Sequence, residues 1–155
     1  MHSKEWSQVE QPSPADDVDL AALFDDLVRV ETGLWNAVDA RLRAADSGVP
    51  LSWYETARVV AATPSCRVAD IAGTLLITIG GASKLVDRIE NAGLCRRTAN
   101  PTDGRSSHIT LTPTGTQLLA RLATVLRDEL DTRLRRPLDA DTLHTLAATL
   151  HALRP

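Results

Sequence analysis

The stretch that most constrains this 155-residue chain spans residues 68–111, where two short amphipathic segments lead straight into two strand-like ones. In the first segment Val68, Ile71, Ala72 and Leu75 share one side of a helix that ends near Leu76. A three-residue turn follows. Thr78 then offers an N-cap hydroxyl to a second helix reaching Asn91. That helix turns Leu85, Val86 and Ile89 inward and Ser83, Lys84, Asp87, Arg88 and Glu90 outward. Gly93 is a natural helix stop. Residues 94–99 and 107–111 have strand character, the latter alternating as His108, Ile109, Thr110, Leu111, and Asn100, Pro101, Asp103 and Gly104 make a turn between them. This order of elements is a helix-turn-helix with a β-hairpin wing.

Flanking segments are helical. Leu20, Leu23, Phe24, Leu27, Val30, Leu34, Val38 and Leu42 recur at helical spacing in a long helix that stops near Gly48 and Pro50. Ser52 and Glu55 stand three apart, which predicts a capping box opening a helix through Trp53 to about Ala62, ended by Thr63 and Pro64. Thr112 followed by Pro113 predicts an N-cap with proline at the first helical position, and Leu119, Leu122, Leu126, Leu130 and Leu134 form a stripe beyond it. Pro137 breaks that helix. Asp139 caps a last one carrying Leu143, Leu146, Leu150 and Leu153. The first sixteen residues, with Pro12 and Pro14, lack periodicity and read as a mobile arm. The expected fold is mainly α with a small β-hairpin wing: an arm over 1–16 and a single domain over 17–155. Within it, 17–48 and 113–155 are dimerisation helices and 51–112 is a winged helix-turn-helix lobe.

Charge narrows the function. A net charge of -3 excludes a polycation that coats nucleic acid indiscriminately, so contact with DNA requires a local basic patch. Between Thr63 and Thr112 six basic residues (Arg67, Lys84, Arg88, Arg96, Arg97, Arg105) stand against four acidic ones (Asp70, Asp87, Glu90, Asp103), a local surplus in an acidic chain. No apolar run approaches the roughly 20 residues of a membrane span, and neither end has a signal-peptide layout, which leads to the expectation of a cytoplasmic protein without a membrane partner. Cys66 and Cys95 lie outside any CxxC and read as buried thiols. His144 and His151 are seven apart, about 10 Å along a helix and too far for one ion, so no metal site or cofactor is expected. No paired carboxylates, phosphate loop or nucleophile–base set signals an enzyme.

A helix fits the major groove of B-DNA, about 12 Å wide, and a thin hairpin beside it can place a cation in the minor groove. Helix 78–91 is the candidate reader. Thr78, Gly80, Gly81 and Ser83 form an unobstructed first turn through which backbone amides can approach the duplex, and Lys84 and Arg88 are four apart on one face. In the hairpin, Asp103 and Arg105 are two apart, so the carboxylate can hold the guanidinium in place.

These residues resemble the MarR family of bacterial transcription regulators. The resemblance rests on RVADIAGTL, SKLVDRIENAGLCRR, and NPTDGR running into ITLTPTG, the last similar to the family's Asp-x-Arg wing. It implies a homodimer interlocked by the outer helices, with Arg105 entering the minor groove of double-stranded DNA and Asp103 supporting it. The chain departs from the family in having Gly104 where a further wing arginine is common, and Ile79-Gly80-Gly81 leaves few side chains for bidentate base contacts. Family members often bind small aromatic anions between the dimerisation helices and the lobe. The counterparts here are Trp35, Trp53, Tyr54 and Arg58, although the tryptophans serve equally as core packing. The expected function is that of a homodimeric repressor of a pseudo-palindromic operator, relieved by an aromatic carboxylate. The alternatives are a winged-helix protein-interaction module or a ligand-independent DNA-binding protein.

Overall fold

A computed structural model of the chain describes residues 18–46, 48–99 and 106–154, so the arm expected over 1–16 lies outside the described residues. The chain divides between Gly33 and Leu34 into two compact units. The described part of the first is the opening of helix α1 (Leu20–Ala45), where the Asp19 carboxylate accepts hydrogen bonds from the amides of Ala21 and Ala22 at 2.9 and 3.1 Å. Its apolar side chains Leu20, Leu23, Phe24 and Leu27 are all exposed.

The second unit holds the rest of α1, then α2 (Leu51–Ala62), α3 (Val68–Leu75), α4 (Ile79–Asn91), β1 (Cys95–Ala99), β2 (Ser107–Leu111), α5 (Pro113–Leu130) and α6 (Ala140–Ala152). The Ser52–Glu55 capping box does not form. Helix α2 starts at Leu51, which puts Ser52 inside the first turn, and Glu55 instead pairs with Arg58 at 2.6 Å. The cap comes from another helix: Asp39 of α1 accepts the Leu51 amide at 2.7 Å through one oxygen and the Arg43 Nε at 2.6 Å through the other. Burial pushes the Asp39 carboxyl pKa up, but these two hydrogen bonds outweigh it and hold the group below its ordinary value.

Helices α3 and α4 cross at 113°, the angle of a helix-turn-helix. Their turn depends on Leu76, which caps α3 in the left-handed region at φ 53°, its N–H bonded to the Ala72 carbonyl. A non-glycine residue there carries a steric cost of about 1 to 2 kcal/mol, and Leu76 recovers little by burial because it is 80% exposed. Leu76→Gly is therefore expected to raise unfolding free energy by about 1 kcal/mol, offset in part by glycine's greater freedom in the unfolded chain. Urea denaturation of the two proteins measures it, and an unchanged or lower midpoint would contradict the strain.

Two packed clusters hold the unit together. Ile71, Ala82, Val86, Ile89, Cys95 and Ile109 lie at the centre of the lobe, with Val59, Val60, Cys66 and Ala72 completing the cluster and Trp53 and Leu85 against it. Each fully buried Ile or Val contributes about 1.5 to 3 kcal/mol. The second cluster joins Val38 and Leu42 of α1, Leu51 and Tyr54 of α2, and Leu118 and Leu122 of α5. The buried edge of α5 thus runs through Gly115, Leu118 and Leu122, whereas Leu119, Leu126 and Leu130 of the expected stripe pack partly against it. A π-helical turn, Asp131–Arg135, follows α5, and α6 begins after Asp139, whose carboxylate accepts the Thr142 amide at 2.8 Å. Helix α6 has no buried residue. Among the described residues no single helix is long and apolar enough to cross a membrane.

Strands β1 and β2 pair antiparallel, with Cys95 opposite Leu111, Arg97 opposite Ile109 and Ala99 opposite Ser107. The Ile109 amide donates to the Cys66 carbonyl at 2.7 Å, tying the hairpin to the segment that enters α3.

Candidate nucleic-acid interface

Helix α4 projects its reading residues from a cap local to the sequence: Thr78 Oγ1 accepts the Gly81 amide at 3.0 Å. A side chain built at Gly80 would meet nothing within 4 Å, while one at Gly81 would meet Thr78 Oγ1 at 3.1 Å. Glycine at Gly80 is therefore not required by packing in the free chain, and the first turn of α4 presents an open surface. Lys84 and Arg88 are exposed one turn apart and form no ion pair or side-chain hydrogen bond among the described residues.

Two residues expected to face outward do not. Ser83 and Glu90 are half-buried, because β1 folds back along α4 and places Arg97 over them. The Arg97 guanidinium lies 2.5 Å from Glu90 Oε2 and 2.7 Å from Asp87 Oδ1, and its Nη2 donates to the Ser83 carbonyl at 3.4 Å. The Arg97 amide also donates to Glu90 Oε1, at 2.8 Å. Burial disfavours the charge on Arg97, but the carboxylates of Glu90 and Asp87 more than restore it. Sequence reasoning counted Arg97 only within the local surplus of basic residues and missed this role. An acid pair at i and i+3 on a helix, followed beyond a glycine stop by a strand arginine, is the signal that could have found it.

Asp103 and Arg105 lie outside the described residues. The strands on either side are paired as far as Ala99 and Ser107.

Two of the four residues of the expected ligand cleft, Trp53 and Tyr54, line one gap. Shared with Leu118, Leu119 and Leu122, it measures about 10 Å³, room for about one water. Trp35 is not among its lining residues and is exposed on α1, and Arg58 is exposed and paired with Glu55. Cys66 and Cys95 are both buried, and burial pushes each thiol up to about 11, so neither is a thiolate at neutral pH. His144 and His151 are exposed on α6.

A capped helix set across a shorter one and flanked by a two-stranded hairpin defines a winged helix-turn-helix protein. Residues 47–106 match the model of the MarR family. Over 93 residues the chain is 31% identical to a transcriptional regulatory protein for the hcr operon of Thauera aromatica; the match covers 59% of this chain and spans only 56% of that relative's length. Among solved structures it is similar to the MarR family transcriptional regulator Sco3205 of Streptomyces coelicolor in complex with DNA, with a TM-score of 0.77 and 25% identity over 87% of this chain and 91% of that one. The fold is shared with a mutant MarR of E. coli complexed with operator DNA, at a TM-score of 0.79 and 19% identity, covering 88% of this chain and 96% of that one. The likeness to the MarR family is thus carried by residues 47–106 in sequence and by the shared winged helix-turn-helix fold in structure.

Proposed function

We propose that the chain is a sequence-specific DNA-binding regulator that acts as a homodimeric repressor on a pseudo-palindromic operator. The observation that carries this reading is the exposed face of α4, where Lys84 and Arg88 have no counter-ion among the described residues, beside an open, capped first turn. Backbone amides at that turn and these two cations suit the phosphates and base edges of a major groove. Arg105, carried by the hairpin connection, suits the adjacent minor groove, with Asp103 supporting it. Two sets of exposed apolar side chains favour a second copy as partner: Leu20, Leu23, Phe24 and Leu27 of α1, and Leu146, Leu150 and Leu153 of α6. Residues 17–48 and 113–155 then supply the dimer contacts and 51–112 the lobe that meets DNA. The site of action is the cytoplasm.

A gel shift on DNA flanking the protein's own coding region, with scrambled competitor, tests the reading alongside sedimentation. A dimer at micromolar concentration and a selected site with inverted half-sites about 10 base pairs apart are expected. A monomer, or a site without inverted symmetry, would overturn the model. Absence of any salt-dependent binding would favour a protein-interaction module.

Relief by an aromatic carboxylate would use Trp35, Trp53, Tyr54 and Arg58. The gap at Trp53 and Tyr54, about 10 Å³, and the commitment of Arg58 to Glu55 favour a regulator that works without a ligand. Titration of aromatic acids against tryptophan fluorescence and operator binding separates the two, since only a ligand-relieved repressor releases its operator.

A further inference from the structure

Helix α4 carries as many acids as bases: exposed Lys84 and Arg88 against exposed Asp87 and half-buried Glu90. Asp87 follows Lys84 by three residues, so its carboxylate is a neighbour of that ammonium on the surface that would approach DNA. Left alone, the helix would be electrically neutral and would present a carboxylate to a polyanion. The structure resolves this from outside the helix, since Arg97 of β1 contacts both acids with a side chain only 24% exposed.

Resting on the DNA-binding reading, we propose that Arg97 is a positioning residue for DNA binding. It holds both carboxylates of α4 and offsets one of their two negative charges, so that with Lys84 and Arg88 the reading helix carries a net positive charge instead of none. The geometry suits the task. The guanidinium spans Asp87 and Glu90 together, and the backbone amide of Arg97 fixes the second oxygen of Glu90. A planar fork that stays protonated throughout the accessible pH range does this where a mobile ammonium would hold one acid at a time. Arg97 also sits two residues before the end of β1, so the same contacts seat the wing strand against the reading helix.

The test is a charge cycle read by DNA binding. In salt of about 50 mM, Arg97→Gln should weaken operator binding about 10-fold, with the ratio to the parent narrowing as salt shortens the range of the exposed acids. Adding Asp87→Asn and Glu90→Gln to the same chain removes the charges that Arg97 holds and should return affinity to the parent's level or above. Arg97→Lys, which keeps the charge, should retain most of the affinity, and thermal melts place every measurement well below unfolding. If Arg97→Gln binds like the parent, or the triple variant stays as weak as Arg97→Gln, charge cancellation is overturned and Arg97 is a strut of the fold. A parent that binds no duplex overturns the DNA reading together with this one.

Discussion

Gly115→Ala should lower the unfolding free energy by about 3 kcal/mol, at the upper end of the range for overpacked sites. Gly115 is buried in the first turn of α5, and a Cβ built there would sit 1.9 Å from the Leu94 carbonyl oxygen and 2.8 Å from its carbon. Those neighbours are backbone, so no rotamer change relieves the clash. The same place is tied by three hydrogen bonds centred on Thr112: its amide to the Leu94 carbonyl at 3.0 Å, its hydroxyl to the Gly93 carbonyl at 2.7 Å, and the Gly115 amide to that hydroxyl at 3.0 Å. Moving α5 away from Leu94 would break them where β2 ends and α5 begins. Alanine's helix propensity, worth about 1 kcal/mol over glycine, works in the opposite direction and loses. Denaturant unfolding of the variant gives the answer, and an unchanged midpoint would mean that α5 can slide off Leu94 at little cost.

Arg105→Ala should cost about 1 to 3 kcal/mol of operator affinity per subunit while leaving the melting temperature nearly unchanged. The expectation rests on the proposed minor-groove contact, where narrow A·T-rich DNA concentrates negative potential and favours a weakly hydrated guanidinium. Lys84→Ala should behave differently. An exposed ammonium with no partner among the described residues suits a phosphate, so its loss should weaken operator and scrambled DNA alike and reduce the salt slope by roughly one per subunit. Titrations at several salt concentrations on both DNAs distinguish the two. If Arg105→Ala holds its operator as the parent does, the wing is not a DNA-contacting element.

Arg97, by contrast, is a cation that composition counts toward DNA and geometry takes away from it. Six bases against four acids describe the winged stretch correctly as a sum, yet the field it offers depends on which charges meet inside the protein. The two acids of α4 share Arg97, which offsets one of their charges, whereas Lys84 and Arg88 are spent on nothing among the described residues. The difference matters because exposed charge acts over about 8 to 10 Å at moderate salt, and a paired charge is nearly silent at that range.

Signals that close within three or four residues were legible in the amino-acid order. Thr78 caps α4, Thr112 and Pro113 open α5, Asp139 caps α6 and Gly93 turns the chain at φ 74°, each as local hydrogen-bonding and steric rules require. The helical spacing of Val86 and Ile89, and the alternation around Ile109, place helix and strand faces by the same short reach, while Leu85 is only partly buried and Ala82 takes the remaining buried position. What required the tertiary structure spans longer loops. Leu51 takes its cap from Asp39, twelve residues away, because α1 passes alongside the start of α2. Arg97 finds Glu90 seven residues back only once Gly93 has reversed the chain, and Gly115 is obligatory only because Leu94 lies against it. Periodicity registers which side of an element is apolar. It carries no information about which other backbone will arrive there or how closely, and in this protein that approach decides the cap of α2, the charge left on the reading helix and the need for glycine at the start of α5.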